Sequence, residues 1–365
     1  MKHRISENNF DLIRLFAASQ VAVLHVMSYV SHSAYWSAPE PWTSVIALLE
    51  LFPGVPIFFF ISGFLISRSF ERTGSLVDYT RNRVLRIYPA LHVCMLVNLL
   101  MIWATGYFAI KDVQFPEVLL LYLAKTTFVQ FYNPDFMREF GDGVVNGSLW
   151  TVCVELQFYF LTPLLYMAFL RGRKYNSNAV LIALIIVSLI CNRLLYAYQA
   201  EYAASNYWKL ARVSFFPWFY MFLTGVLAQR NFEYISGLLR DKLFFVIVPT
   251  YIAYALLLRY CGFSFHNDIS PLLFFPLVAA ILVSAYSAPT LARRVLHGND
   301  FSYGIYIYHV PFMNMLLYYG YRDNMIYTVV VIAMTLAAAG ISWFVIERPS
   351  LSRKRRTTHA VAPAQ

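Results

Sequence analysis

Apolar stretches about as long as a bilayer is thick recur along the chain, and short polar connections separate them. A transmembrane helix needs about 20 predominantly apolar residues. By this criterion the pattern predicts ten spans, at residues 9–31, 44–67, 87–108, 148–170, 178–199, 211–229, 242–260, 269–287, 301–319 and 326–347. No polar linker long enough to separate two domains interrupts the series. The sequence therefore predicts an all-α, polytopic membrane bundle over residues 1–350 and a basic cytoplasmic tail over residues 351–365.

One apolar segment does not fit this series. Residues 115–131 are short for a span and contain Glu117 and Lys125. We predict an interfacial or re-entrant helix on the outer side of the membrane. If the segment crossed the bilayer, the helices after it would be inverted.

The distribution of charge predicts the orientation. Only 13% of the residues are charged and 59% are hydrophobic, whereas soluble domains contain about 25% charged residues. Twenty of the 29 Lys and Arg residues fall in connections on one side of the predicted bundle and seven on the other, which predicts that both termini are cytoplasmic. The net charge of +10 then needs no nucleic acid partner, because basic loops contact anionic lipid headgroups. The four cysteines show no metal-ligand or disulfide spacing, so we expect no metal.

Ionisable residues inside spans mark candidate chemistry, because each costs about 2.5–3.5 kcal/mol to insert. Arg14 and His25 lie eleven residues apart, which on a helix is about 16 Å of rise with directions only about 20° apart. We predict that His25 is a general base for a hydroxyl, with an acyl-accepting nucleophile as the alternative role, and that Glu155, at a similar depth, orients it. The structural alternatives are that Arg14 snorkels to the headgroups, that His25 bonds to a neighbouring helix, and that Glu155 bonds to Tyr or backbone groups.

The connection between spans two and three is rich in arginine. Arg83 and Arg86 are three residues apart and would be neighbours on a helix, so they could bind phosphate oxygens in bidentate geometry. The alternative is an ordinary positively charged cytoplasmic loop. Gly63, in the preceding span, is explained by close helix packing. His92 and His309, each taken alone, favour packing roles.

Several segments together resemble the acyltransferase 3 family. They are DLIRLFAASQVAVLH, GVPIFFFISGFLI, RNRVLRIYP, GSLWTVCVELQFYFLTP, SYGIYIYH and IERP, in the family's order. The resemblance implies a ten-helix enzyme of the bacterial inner membrane that passes an acyl group, commonly acetyl from acetyl-CoA, to a carbohydrate. It implies catalytic roles for Arg14, His25 and Glu155 and a role for Arg83 and Arg86 at the coenzyme. Trp150 and His309 lie in two of these motifs and are predicted to bind the acceptor. Some members add an extracytoplasmic SGNH domain, which this sequence is not expected to contain.

The predicted function is transfer of an acyl group, by expectation acetyl, from acyl-CoA to a hydroxyl of a bacterial surface polysaccharide or lipid-linked sugar, such as O-antigen or an exopolysaccharide. One alternative is a transporter or flippase for a lipid-linked sugar or acyl carrier, although no internal repeat is visible. The other is an acyltransferase for a small molecule such as a macrolide.

Overall fold

The structure is a computed structural model that describes residues 5–30, 42–73, 75–170, 174–239 and 241–353. Every regular element in these residues is a helix. The first half contains α1 (Phe10–Val30), α2 (Trp42–Glu50), α3 (Gly54–Thr73), α4 (Leu76–Ala104), α5 (Tyr107–Ile110), α6 (Phe115–Lys125) and α7 (Leu149–Leu165). The second half contains α8 (Lys174–Ala197), α9 (Gln199–Tyr202), α10 (Asn206–Val213), α11 (Phe219–Arg230), α12 (Phe232–Leu238), α13 (Asp241–Tyr260), α14 (Pro271–Tyr286), α15 (Leu291–Leu296), α16 (Ser302–Tyr318), α17 (Met325–Ser342) and α18 (Arg348–Ser352). Two π-helical turns, Tyr166–Leu170 and Trp343–Glu347, follow α7 and α17, and 3-10 turns form at Asp135–Met137 and Phe216–Trp218.

Seven helical segments in the described part of the chain are long and apolar enough to cross a membrane, and they coincide with seven of the predicted spans. The predicted span at 211–229 corresponds to α10 and α11, which meet at a bend of 43°. The predicted spans at 269–287 and 301–319 are α14 and α16, with 16 and 17 residues. Those helices are about 24–26 Å long, a little less than the hydrocarbon thickness of about 30 Å. A count of ten spans and the orientation therefore stay predictions.

The outer surface of the bundle is apolar. Leu100, Phe245 and Val329 are 61%, 76% and 65% exposed, and many other large apolar side chains are exposed with them. A surface of this kind is stable against lipid and is rare on soluble monomers. The chain is therefore a multi-pass helical membrane protein.

The second predicted span is broken into α2 and α3 at Pro53 and Gly54. The side chain of Gln20 on α1 bridges the break: its Nε2 donates to the Leu49 carbonyl (3.3 Å), and its Oε1 accepts from the Gly54 amide (3.1 Å). Backbone groups freed by a break in a membrane helix must be satisfied by neighbours. A Cβ atom on Gly54 would lie 2.6 Å from the Ala17 carbonyl oxygen, so glycine is needed for this close approach.

Helix α4 begins eleven residues earlier than the predicted third span. Ser75 caps it by accepting a hydrogen bond from the Asp78 amide, and the helix then continues through the arginine-rich connection. Arg83 and Arg86 are consequently one turn apart on a helix, as the sequence predicted. The error in the boundary arose because charged residues at the membrane surface look like a loop when hydropathy alone is used.

Helices α3 and α11 form the most extensive helix pair of the bundle. A Cβ on Gly63 would lie 1.9 Å from the Phe222 carbonyl oxygen, and a Cβ on Gly225 would lie 2.1 Å from the Phe60 carbonyl oxygen. The two glycines therefore let the backbones touch, which confirms the packing role predicted for Gly63. Helix α1 packs against both α3 and α16, so it lies at the centre of the fold.

Residues 115–131 contain only one helix, the 11-residue α6, which spans about 16 Å and is too short to cross a bilayer. This agrees with the prediction of a helix that does not span. Its interfacial position stays a prediction. The predicted basic tail covers residues 351–365; its first two residues belong to α18, and residues 354–365 lie outside the described residues. Several loop residues used to predict the orientation also lie outside the described residues: Lys2, Arg4, Arg171, Arg173 and Arg240.

Candidate active site

Two polar cavities lie within the bundle. The first, about 340 Å³, is called the arginine cavity here; its charged lining residues are Asp11, Arg14, Arg83, Arg86, Glu155 and Asp300. The second, about 390 Å³, is called the histidine cavity; its polar lining includes His25, Asp142, Trp150, Arg212, His266 and Asn267. Val55 and Tyr306 line both cavities, so the two cavities adjoin at these side chains.

Helix α1 contributes to both cavities. Arg14 lines the arginine cavity and His25 the histidine cavity. The two residues therefore face the polar interior at different depths, as their eleven-residue spacing predicted. Snorkelling does not describe Arg14, because its guanidinium group has partners inside the protein.

Asp300 holds two of the cavity's arginines. Its Oδ2 lies 2.5 Å from a guanidinium nitrogen of Arg86 and 3.2 Å from one of Arg14. Its Oδ1 accepts hydrogen bonds from the amide and hydroxyl of Ser302, at the start of α16. Burial alone raises the pKa of Asp300, but the two guanidinium groups outweigh burial and hold that pKa below its usual range. One carboxylate thus fixes α1, α4 and α16 to each other at this end of the bundle.

Arg83 has a different environment from Arg86. Its guanidinium group donates to the Ser69 hydroxyl (3.0 Å) and lies over the Tyr159 ring at 5.5 Å. Its Nε is buried and has no hydrogen-bond partner among the described residues. No carboxylate in the described part of the chain forms an ion pair with it, so Arg83 is the arginine of this cavity that is most available to an anion.

Glu155 does not contact His25. Its Oε1 accepts from the Tyr159 hydroxyl (2.7 Å) and the Ser62 hydroxyl (3.1 Å), and the residue lines the arginine cavity. The predicted His25–Glu155 pair is therefore wrong as geometry. Similar depth along two helices does not determine which way each side chain points around its helix axis.

The partner of His25 is His309. The Nδ1 of His25 lies 3.1 Å from the Nε2 of His309, and the Nδ1 of His309 lies 3.2 Å from the Ile305 carbonyl oxygen. His309 is fully buried and lines neither cavity, although the sequence predicted it at the acceptor. His92, in contrast, bonds to the Tyr122 hydroxyl (2.8 Å) away from both cavities, as expected for a packing histidine.

The histidine cavity combines an aromatic face with several polar groups. Trp150 packs against Trp218, and the Arg212 guanidinium lies 6.0 Å from the centre of the Trp150 ring. Tyr306, in the shared wall, bonds through its hydroxyl to Thr151 (2.6 Å). An apolar ring face beside hydrogen-bonding groups suits a sugar, which has both apolar C–H faces and hydroxyls.

Sequence reasoning missed Asp300, Arg212 and Tyr306. Asp300 lies outside the predicted spans, so it is not among the charged residues inside spans that mark candidate chemistry. Its position two residues before α16 is a signal for a helix cap, and that signal could have found it. Within the described residues no group of three or more His, Cys, Asp or Glu side chains is arranged to hold a metal ion.

The fold and the two cavities define a polytopic helical membrane protein with a charged interior site. The model of the acyltransferase domain of the acyltransferase 3 family matches residues 7–346. The chain therefore belongs to the acyltransferase 3 family and is an O-acyltransferase.

Three relatives support this assignment. Nodulation protein 10 of Rhizobium leguminosarum bv. viciae is 32% identical over 362 residues, which cover 96% of this chain and 94% of the relative. The O-acetyl transferase of Shigella phage Sf6 is 26% identical over 354 residues, 95% of this chain and 96% of the relative. Peptidoglycan O-acetyltransferase OatA of Listeria monocytogenes is 23% identical over 328 residues, 82% of this chain and 51% of the relative. No solved structure matches the chain.

Proposed function

We propose that the enzyme takes an acetyl group from acetyl-CoA bound at the arginine cavity and transfers it to a hydroxyl of a cell-surface glycan bound at the histidine cavity. The observation that carries this proposal is the pair of adjoining cavities, one lined by arginines and the other by His25 beside an aromatic face. Relatives named as O-acetyltransferases support the acetyl group.

Arg83 is the proposed first contact of the donor. Coenzyme A carries phosphates that cannot cheaply enter hydrocarbon, and guanidinium groups match phosphate oxygens. Arg83 has a buried Nε without a partner, whereas Arg86 and Arg14 are both engaged by Asp300. In this proposal Arg83 binds a phosphate, and Arg86 and Arg14 supply positive charge along the path of the pantetheine arm toward Tyr306.

His25 is the proposed general base. The acceptor hydroxyl oxygen attacks the thioester carbonyl carbon while His25 takes the hydroxyl proton. The C–S bond then breaks, and the leaving coenzyme A thiolate receives that proton from His25, so the enzyme is restored. Direct transfer of this kind needs the thioester to cross the wall at Val55 and Tyr306. Glu155, hydrogen-bonded to Tyr159 under Arg83, is proposed to shape the donor path instead of orienting the base.

The location of the acceptor follows from the predicted orientation. With the arginine-rich connection cytoplasmic, the arginine cavity lies toward the cytoplasm and the histidine cavity toward the outer side of the bacterial inner membrane. We propose that the donor enters from the cytoplasm and the glycan from outside. Trp150 is proposed to stack against a sugar ring. A small-molecule acceptor is the alternative within the same chemistry.

The donor site is tested by acetyl-CoA binding to purified protein in nanodiscs. Arg83→Ala removes a charged hydrogen bond of about 1.5–3 kcal/mol, which is about 10- to 150-fold in Kd. Arg81→Ala is the matched control, because Arg81 is exposed on the same helix and does not line the cavity. Equal affinities of the two variants would contradict the donor site.

The acceptor is tested by mass spectrometry of surface glycans from cells with and without the gene. The proposal predicts a loss of one acetyl per modified unit when the gene is removed. Unchanged glycans together with an acetylated small molecule in the wild-type cells would favour the alternative acceptor.

A further inference from the structure

The hydrogen bonds around His25 and His309 form a chain whose proton positions can be deduced. The chain runs from the Ile305 carbonyl to Nδ1 of His309, and from Nε2 of His309 to Nδ1 of His25. The two rings lie on different helices, α16 and α1, with centroids 5.3 Å apart.

A carbonyl oxygen can only accept a hydrogen bond, so Nδ1 of His309 must carry a proton. A neutral imidazole has one protonated nitrogen and one lone pair. Nε2 of His309 therefore holds the lone pair and accepts from His25. It follows that Nδ1 of His25 is the protonated nitrogen and that Nε2 of His25 holds the lone pair.

This lone pair is on the nitrogen that is free to react. Within the described residues Nε2 of His25 has no hydrogen-bond partner, and His25 lines the histidine cavity. His309 is fully buried and cannot reach either cavity without a rearrangement of α16. A contact between His309 and the acceptor is thus disfavoured. The structure instead shows His309 hydrogen-bonded to His25.

We propose that His309 is a positioning residue that fixes the tautomer of His25 with its proton on Nδ1 and its base lone pair on Nε2. This resembles the way a base and an orienting group work in other acyl-transfer sites, with a second histidine and a helix carbonyl as the orienting groups. The inference rests on the proposed role of His25, and the experiments below separate the two.

The first experiment reads the tautomer directly. Nitrogen-15 NMR of the full-length protein labelled at histidine distinguishes protonated from unprotonated ring nitrogens, and a His25→Gln variant assigns the His25 signals by difference. We expect Nδ1 of His25 to be protonated and Nε2 unprotonated. A proton on Nε2 of His25 in the wild-type protein would overturn the inference, whatever the activity.

The second experiment compares two replacements of His309. In His309→Gln the amide oxygen can lie near the original Nε2 and accept from His25; in His309→Leu no acceptor remains. We expect His309→Leu to lower kcat at least 10-fold, up to the approximately 10⁴-fold seen when a catalytic imidazole has the wrong tautomer. Acetyl-CoA affinity and the KM for the acceptor should stay within about twofold, and His309→Gln should recover most of kcat.

The outcomes separate the possible roles of His309. A raised acceptor KM with unchanged kcat in both variants would assign His309 to acceptor binding and overturn the positioning role. If His309→Leu does not fold, His309→Gln and the wild-type NMR spectrum still decide. If the wild-type tautomer is as expected but His25→Ala turns over normally, the tautomer assignment stands and the proposed base fails.

Discussion

The replacement Asp300→Asn is predicted to destabilise the protein substantially, because one carboxylate neutralises two arginines. Asparagine keeps the size and part of the hydrogen bonding of Asp300 but removes its charge. Arg86 would then lose its ion pair with Asp300, and Arg14 would keep only its longer pair with Asp11 (3.6 Å), while their side chains are only 13% and 20% exposed.

The expected magnitude follows from the burial of the pair. Breaking a fully buried ion pair by removing one partner costs about 3–5 kcal/mol. The arginine side chains here are partly exposed, so we expect the lower end of this range, about 3 kcal/mol. Because the pKa of Asp300 in the folded protein lies below its usual range, this stabilisation is present above about pH 4 and is lost only as the pH falls further. The difference between wild type and variant should therefore be constant from about pH 5 to 8.

The assay is unfolding of the purified protein in mixed micelles at increasing SDS, followed by tryptophan fluorescence. Asp135→Asn is the matched control, because its pair with Arg138 lies on the surface and surface pairs contribute little. A double-mutant cycle with Arg86→Gln should show a double variant less destabilised than the sum of the single variants. Wild-type stability of Asp300→Asn, or strict additivity in the cycle, would refute the role assigned to this carboxylate.

Two further predictions concern packing and a buried lysine. Gly63→Ala should destabilise the protein by about 1–3 kcal/mol, the usual cost of overpacking, because the added Cβ would overlap the Phe222 carbonyl. Gly340→Ala is the control, because a Cβ at that position has open space. Equal stabilities of the two variants would contradict the close α3–α11 contact. Lys125, outside the spanning helices, donates to the Gln130 carbonyl, and burial lowers the pKa of Lys125 to about 7 against a smaller opposing effect of Asp142. The unfolded chain therefore binds more protons between about pH 7 and 10, so stability should rise with pH there, and Lys125→Met should remove that rise. Identical pH slopes for the two proteins in the SDS assay would show that the Lys125 amine is not buried.

The positions of most helices could be predicted because a membrane span is a property of one segment. A run of apolar residues identifies a span without knowledge of its neighbours, which is why seven predicted spans coincide with long helices. The break at Pro53 and Gly54 could not be predicted in the same way. It is stable because Gln20 of another helix satisfies the backbone at the break, and this is a tertiary contact.

In the candidate site too, features of a single helix could be predicted and contacts between helices could not. Helical periodicity correctly predicted that Arg14 and His25 face one interior and that Arg83 and Arg86 share a helix, since both statements concern a single helix. Pairings between helices were not accessible, because they depend on how each helix is rotated about its axis. This is why Glu155 was predicted as the partner of His25 and the structure has His309 in that place.

The role of His25 as the base for acyl transfer is tested by the turnover per folded molecule of His25→Ala. A general base contributes about 10²–10⁴-fold, so turnover should fall by a factor of that size while acetyl-CoA affinity stays unchanged. His92→Ala is the control, because His92 bonds to Tyr122 away from both cavities. Turnover of folded His25→Ala close to that of the wild type would show that His25 is not the base.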